Sequence, residues 1–450
     1  MPWLDTARDW AVRHDERRLA RDPTASAERA GVVAAGWAIA KIAAVAVSGP
    51  VLAPLVGIWA ARNTRLINEA VARYPAFLDA VLRGDVPARV ARLPVSGRYF
   101  IASDLHRTVP GTIDLPGRHG TRELYEVVLE HYGQHCWTLV ENGDVEDFWM
   151  VGGSTYGSFY DVTRLAAATL PRRRGEAIRL KLFSEHLRRI VANNAGIYER
   201  INALFHEPGR YVRLIGNHDD VYADERMVDE LRAVHEGLEV LDFLVLDGED
   251  GAVGVVTHGH HVDTWNAPRF AGLGKFGTWM GSTLNDLPFL AVSPGIPTVQ
   301  EADRLLSGAQ PNVLTTVSRV FGANRNLYSV DEVRMLASFR SHWAEGADPI
   351  LILGHTHLPL AHPHHPDEPV VWDRYLNCGS GVTPGVVTGI EWVGGTDGSG
   401  KGTEVHLIAW HWADPSTPDE AVVAQRDGRG VARRILQPGS PLPVLRPVPG

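Results

Sequence analysis

The sequence predicts an α/β fold, on three observations. Short apolar runs rich in Val, Ile, Leu and aromatic residues recur between longer stretches with helical periodicity. Five of these runs lead directly into a loop that carries Asp, Asn or His. In α/β sheets ligands gather at the carboxyl ends of strands, so five such loops on one sheet edge would form a rim able to bind metal. The composition supports a packed core: 44% hydrophobic and 22% charged residues describe an ordinary globular chain. A length of 450 residues allows two or three domains, or one large α/β domain with insertions.

In chain order, residues 1–30 are charged and helix-like, with Arg8, Arg13, Arg17, Arg18 and Arg21 among acids, too polar to begin a signal peptide. Residues 31–61 are apolar. Their uncharged run after Lys41 is about long enough to cross a bilayer, but Gly49, Pro50 and Pro54 would break a simple helix. A kinked span, a re-entrant or interfacial hairpin, and a buried helical pair all fit. Arginines flank the stretch on both sides, so charge sets no orientation. Residues 63–92 read as one or two amphipathic helices ending near Pro94.

A strand over 98–102 runs into Ser103-Asp104-Leu105-His106. After a helix over 121–131, a strand over 137–140 runs into Asn142-Gly143-Asp144-Val145-Glu146-Asp147-Phe148-Trp149. Long helices over 161–205 include the basic patch Arg172-Arg173-Arg174, read as a solvated helix start. A strand over 211–215 ends in Gly216-Asn217-His218-Asp219. Strands over 240–246 and 253–257 follow, the second ending in His258-Gly259-His260-His261. An insertion over 264–345 is rich in Trp, Phe, Gly and Leu. A strand over 349–353 ends in Gly354-His355-Thr356-His357, and strands over 374–377, 386–392 and 405–412 complete a β-rich end. Residues beyond about 413 read as a loose tail. His362, His364 and His365 lie among prolines and read as an exposed loop.

The net charge of −9 argues against a nucleic-acid-coating surface. It leaves room for a phosphate substrate, because bound metals invert local charge. Cys136 and Cys378 are too few for a disulfide framework and fit a cytoplasmic setting. The 20 histidines, several of them clustered, are a compositional sign of metal.

Asp104 and His106 stand two residues apart just past a strand, so both can address one ion. Asp144 has two carboxylate oxygens, enough to bridge two ions. Asn217 offers an amide oxygen, and His258, His355 and His357 offer imidazoles. Asp104 as a helix N-cap and Asn217 as a left-handed turn residue are the bland alternatives. His258 is nearest its strand end and is preferred as a ligand; His260 suits a phosphate contact, and Glu146 a solvated or outer acid. Oxygen and imidazole donors without thiolate suit Mn, Fe or Zn better than a structural zinc cage. Two ions about 3.5–4 Å apart can polarise a phosphoryl group and activate water.

These five loops, in this order, resemble the signatures of the calcineurin-like metallophosphoesterase superfamily over roughly residues 96–412, and Asn377-Cys378-Gly379-Ser380 is similar to its Asn-x-Gly-Ser turn. The resemblance implies a four-layer α/β/β/α sandwich of two mixed sheets flanked by helices, with an N-terminal apolar region over 1–95, an inserted cap over 264–345 and a tail over 413–450. It implies a first metal held by Asp104, His106, Asp144 and His357, and a second by Asp144, Asn217, His258 and His355. His218 would stand beside the phosphate as acid or charge stabiliser, oriented by Asp147. A metal-bridging hydroxide would open a phosphomonoester, phosphodiester or pyrophosphate bond.

The Gly143-Asp144 to Trp149 spacing is similar to that of UDP-diacylglucosamine pyrophosphohydrolases, which suggests a lipid-linked substrate met at a membrane surface through residues 31–61. Trp265, Phe270, Phe276, Trp279 and Phe289 would line a cap for acyl chains. That family typically has Arg where this chain has His218. Protein Ser/Thr phosphatases have Arg-Gly where this chain has Phe148-Trp149. A catalytically silent, metal-bound binding module is the alternative of another class.

Overall fold

The computed structural model describes residues 6, 8–13, 69–111, 113–151, 155–262, 266, 275, 299–307, 338, 342–343, 349–361, 374–395, 402–414 and 421–437. The apolar stretch 31–61, the aromatics expected in a cap, and His362, His364 and His365 lie outside the described residues.

Side-chain alternation along β2 (Arg98–Ala102) shows how the layers arise: Tyr99 and Ile101 enter one core, Phe100 and Ala102 another. This strand lies inside an eight-stranded sheet of order β13-β14-β12-β11-β2-β3-β4-β5. There β3 is Thr138–Asn142, β4 Tyr211–Leu214, β5 Val240–Leu241, β11 Val386–Val393, β12 Glu404–Trp412, β13 Val422–Arg426 and β14 Arg429–Gln437. Strands β2 to β5 pair in parallel, while β11 joins β2 antiparallel. The second sheet has order β1-β6-β7-β8-β10-β9. It comprises β1 (Val90–Pro94), β6 (Phe243–Gly248), β7 (Gly251–Val256), β8 (Ile350–Leu353), β9 (Pro359–Ala361) and β10 (Tyr375–Cys378). It too is mixed, with β7, β8 and β10 parallel and β6–β7 antiparallel.

Between the sheets lie Tyr99, Ile101, Val140 and Leu214 from one and Leu244, Leu246, Ile350, Ile352 and Leu376 from the other. Trp392 closes this core, its indole N–H donating to Val95 O at 2.8 Å. On the outer face of the smaller sheet, Phe243, Val245, Leu351 and Leu353 pack on Val71, Leu78 and Val81 of a helix over 69–83. On the outer face of the larger sheet, Phe100, Leu139, Ile408 and Trp410 meet the helices Thr121–Gln134 and Ala195–Ile201 through Leu124, Val128, Tyr132, Ile197 and Ile201. The chain is therefore α/β with two mixed sheets and helices on their outer faces, consistent with the expected sandwich.

Three expectations need correction. Residues 240–246 are two strands in different sheets. Asp242 marks the crossing, with its N–H on Arg89 O at 2.8 Å and its carboxylate accepting Arg89 N–H at 2.9 Å. A buried apolar run carries no mark of the sheet to which each part belongs. The helix expected over 63–92 stops at 83; Gly84 turns the chain at φ 78°, and β1 follows. Residues 421–437 are no loose tail: β13 and β14 form a hairpin whose second strand pairs with β12 and buries Val431 and Ala432. The helical region expected over 161–205 resolves into Thr155–Thr169, Arg172–Asn193 and Ala195–Ile201.

A chain ending at Ala413 should lose at least the roughly 1.5–3 kcal/mol that burial of Val431 alone supplies. Chemical denaturation of the two chains measures this; equal midpoints would mean that the hairpin adds nothing to the sheet.

Candidate metal centre

The loops after β2, β3, β4, β7 and β8 converge because hydrogen bonds between side chains and backbone tie them together. Asn142 Nδ2 donates to Thr257 O at 3.0 Å, joining the ends of β3 and β7. Asp104 Oδ2 accepts the His355 N–H at 2.8 Å, joining the loops after β2 and β8. Glycine permits this approach at two places. A Cβ on Gly354 would lie 1.8 Å from Ser103 Oγ, and one on Gly216 would lie 2.2 Å from Asp144 Oδ1.

Local backbone strain singles out the same residues. Seven described non-glycine residues have positive φ, and five of them are Asp104, His106, Asp144, His355 and His357. Each such residue costs on the order of 1–3 kcal/mol unless its surroundings impose it. Strain gathered on expected ligands marks a site held in shape for a purpose other than stability. Asp104 caps no helix, and Asn217 is absent from the left-handed set, so both bland alternatives fall away.

The donor atoms face one another. His357 Nε2 stands 3.2 Å from Asp104 Oδ1 and 3.1 Å from His106 Nε2. His106 Nε2 lies 3.8 Å from Asp144 Oδ2, and His258 Nε2 lies 3.2 Å from that same oxygen. His258 Nε2 is also 3.1 Å from Asn217 Oδ1. Asp144, His258 and His355 form one group with ligand atoms within 4.8 Å of one another; Asp104, His106 and His357 form another. Donors bound at about 2.0–2.2 Å to one ion stand roughly 3–3.5 Å apart. His258 donates from Nδ1 to Asn142 O at 2.9 Å, and His106 from Nδ1 to Asp147 Oδ2 at 2.9 Å, so each presents Nε2 to the centre.

Asp144 differs from expectation in one detail. Its Oδ1 accepts the His218 N–H at 2.7 Å, so Oδ2 alone faces both groups. The two groups therefore share one oxygen of Asp144.

Two observations show that the donor set fits a cation. Asp104 Oδ1 is buried and has no hydrogen-bond partner, yet it points at His357, His106 and His258. Asp104, Asp144 and Asp147 are all buried, and among the described residues none of the three pairs with Lys or Arg. Buried carboxylates demand a positive partner. Next to them Glu141, Glu146 and Asp219 have one, in the buried guanidinium groups of Arg107 and Arg213. Burial works against charge on the His258 imidazole, but Asp144 and Asp104 outweigh it and hold its pKa up at about 9. Bound metal would take the place of that proton. The buried Asp and His side chains could thus hold a metal ion.

Asp147 does more than expected. It binds His106 through Oδ2 and His218 Nδ1 through Oδ1 at 2.9 Å, and Oδ1 also accepts the N–H groups of Trp149 and Met150 at 2.8 and 2.7 Å. Burial would raise its pKa, but His218, His106 and these bonds keep it below the usual carboxylate range. Burial would lower His218, but Asp147 and Asp144 hold it up at about 9. Its side chain is 12% exposed, and its ring meets the edge of His106 with centroids 4.6 Å apart. His218, His106 and Asp144 also form a group of possible ligands.

Other expected residues lie nearby. His260 is buried with Nδ1 unpartnered, its ring stacked on His261 at 4.1 Å and 5.4 Å from that of His258. Glu146 is not solvated: it is fully buried and accepts from Tyr198 Oη at 2.6 Å and from Arg213. Arg172, Arg173 and Arg174 are exposed, as a solvated helix start requires. Cys136 and Cys378 are free thiols, the second buried at the end of β10. Sequence reasoning missed Ser103, whose hydroxyl holds Asp104 Oδ2, and Asp219, which pins Gly216 N and Val145 N at 2.5 and 3.0 Å. The Ser and Asp that flank the motif ligands were the available signal. Among the described residues no helix is long and apolar enough to cross a membrane.

Asp147→Asn should weaken divalent-metal binding by about 10–100-fold, the usual effect of losing a carboxylate behind a histidine ligand. Calorimetric titration with Zn or Mn measures it; unchanged affinity would remove Asp147 from the support of His106. No protein-family profile matches the chain, and no curated protein matches it either.

Proposed function

We propose that the chain is a metal-dependent phosphoric ester hydrolase of the calcineurin-like metallophosphoesterase kind, acting on a phosphomonoester, phosphodiester or pyrophosphate. The observation that carries this reading is Asp144 Oδ2, which faces His106 on one side and His258 on the other at 3.8 and 3.2 Å. On this reading Asp104, His106, Asp144 and His357 hold one divalent ion, and Asp144, Asn217, His258 and His355 hold a second. The donors suit Mn, Fe or Zn. Such ions, when bound, supply Lewis acidity toward a phosphoryl oxygen and lower the pKa of water.

The chain's own residues supply the rest. Asp147 fixes both His106 and His218 by their Nδ1 atoms, which leaves His218 Nε2 directed away from the carboxylate. His218, kept protonated near neutral pH by Asp147 and Asp144 against burial, can give that Nε2 proton to the departing oxygen. His260, kept neutral by burial and by the neighbouring imidazoles of His261, His258 and His355, lies beside His258 and can donate or accept a hydrogen bond to phosphate. Among the described residues no Lys or Arg pairs with Asp104 or Asp144, which leaves their charge to be met by metal.

The Mn-loaded chain should hydrolyse an aryl phosphate or bis-aryl phosphodiester; no turnover on either, with Mn, Fe or Zn, would contradict the proposal. His218→Ala should keep its metal while kcat falls by about 10²–10⁴-fold, the usual range for a lost general acid. The loss should be greater for an alkoxide leaving group than for an aryl oxide, which needs no proton. Equal losses on both would assign His218 to charge stabilisation alone.

The carboxylate of Asp147 raises the His218 pKa, so its removal lowers that pKa. At saturating metal, the alkaline limb of the kcat profile should therefore move to lower pH in Asp147→Asn. An unmoved limb would mean that another group carries the proton.

A further inference from the structure

One hydrogen bond from Nδ1 to Asp147 fixes a single atom of the His218 ring and leaves the plane of the ring free to tilt. The plane is set by Trp149. Its indole lies on the imidazole with centroids 4.7 Å apart and planes 29° from parallel. Trp149 is buried, and its Nε1–H donates to Asp220 Oδ1 at 3.2 Å. The other oxygen of Asp220 accepts the Lys275 ammonium at 2.5 Å, and that Nζ stands 5.0 Å from the centroid of the same indole. Asp220 opens the 3-10 turn Asp220–Ala223, directly after the Gly216–Asp219 loop. Lys275 belongs to the 264–345 insertion.

Imidazole, indole, carboxylate and ammonium thus form one contact chain from the candidate metal centre outward. Trp149, Asp220 and Lys275 also wall a cavity of about 1010 Å³. An indole that borders a cavity has room to swing unless something holds it. Its N–H bond to Asp220 does so, and Lys275 in turn holds Asp220. Asp220 also pairs with the Lys275 ammonium beside the indole.

We propose that Trp149, Asp220 and Lys275 are positioning residues for His218, so that a lysine from the insertion sets the geometry of the proton donor without touching metal. The proposal rests on reading His218 as that donor. It makes Lys275, distant in sequence from the loop it supports, part of the catalytic assembly. Trp149 acts by its face, Asp220 by locking the indole, and Lys275 by locking Asp220.

The first test does not depend on turnover. In the Zn-loaded full chain with isotope-labelled histidine, the indole ring current should shift the His218 ring protons upfield. Trp149→Leu should erase that shift, Trp149→Phe should keep most of it, and Lys275→Met should move it partway toward the Leu value. An unmoved His218 resonance in Lys275→Met would overturn the proposal, and Trp149→Phe and Lys275→Met serve should the Leu variant not fold. The second test is kinetic. Lys275→Met should lower kcat on the order of tenfold at unchanged KM and metal content, the scale of a slightly misplaced catalytic group. On a His218→Ala background the same substitution should have no further effect. An equal loss on both backgrounds would mean that Lys275 acts on substrate directly, which contradicts the proposal. Absence of phosphoester turnover in the unaltered chain would defeat the functional reading, while the resonance of His218 would still decide the positioning.

Discussion

Three carboxylates buried side by side, paired with no Lys or Arg among the described residues, are the constraint on which the rest depends. Among the described residues the ion-pair partners of Asp104, Asp144 and Asp147 are all histidines, and Asp104 Oδ1 has no hydrogen-bond partner. Desolvating a carboxylate costs several kcal/mol even after relaxation, by order of magnitude. A fold does not gather three such groups without a return. Directly behind them Glu141, Glu146 and Asp219 share Arg107 and Arg213, so the same structure can supply guanidinium groups where it uses them for stability. Among the described residues the front row lacks such groups and offers imidazole nitrogens instead, which is the chemistry of a metal ligand set.

The sheets exist, functionally, to hold that row still. Parallel strands β2, β3 and β4 deliver three loops, and β7 and β8 of the other sheet deliver two more. Hydrogen bonds between loop ends, Asn142 to Thr257 and His355 to Asp104, stitch the two sheets together at the site. The large inter-sheet core sets the spacing, and the left-handed φ values of the ligand residues are tolerated because the packing on either side imposes them. The guanidinium network then serves as backing: Asp219 grips the loop that carries Asn217 and His218 while Arg213 grips Asp219.

Much of this was legible in the sequence. Asp104 and His106, Asp144, Asn217, His258, and His355 and His357 each follow a short apolar run, and the structure brings all of them together. The reason is local: strand, tight turn and ligand are contiguous, so spacing encodes geometry. What was not legible is tertiary. The break at Asp242 between two sheets interrupts no hydrophobic pattern. The hairpin of β13 and β14 has a polar, edge-strand character and reads as a tail. The double duty of Asp147 and the stacking of Trp149 on His218 depend on residues some 70 positions apart in sequence meeting in space, as the hydrogen bond from His218 to Asp147 shows. The single free oxygen of Asp144 depends on where one backbone N–H points.

The most direct measurement is anomalous scattering from crystals of the Mn-loaded chain, collected at an energy where Mn scatters anomalously. The account predicts peaks among Asp104, His106, Asp144 and His357 and among Asp144, Asn217, His258 and His355, with Asp144 Oδ2 common to both. A centre free of anomalous density at saturating Mn, with Asp104 and Asp144 in contact with a Lys or Arg side chain instead, would contradict it.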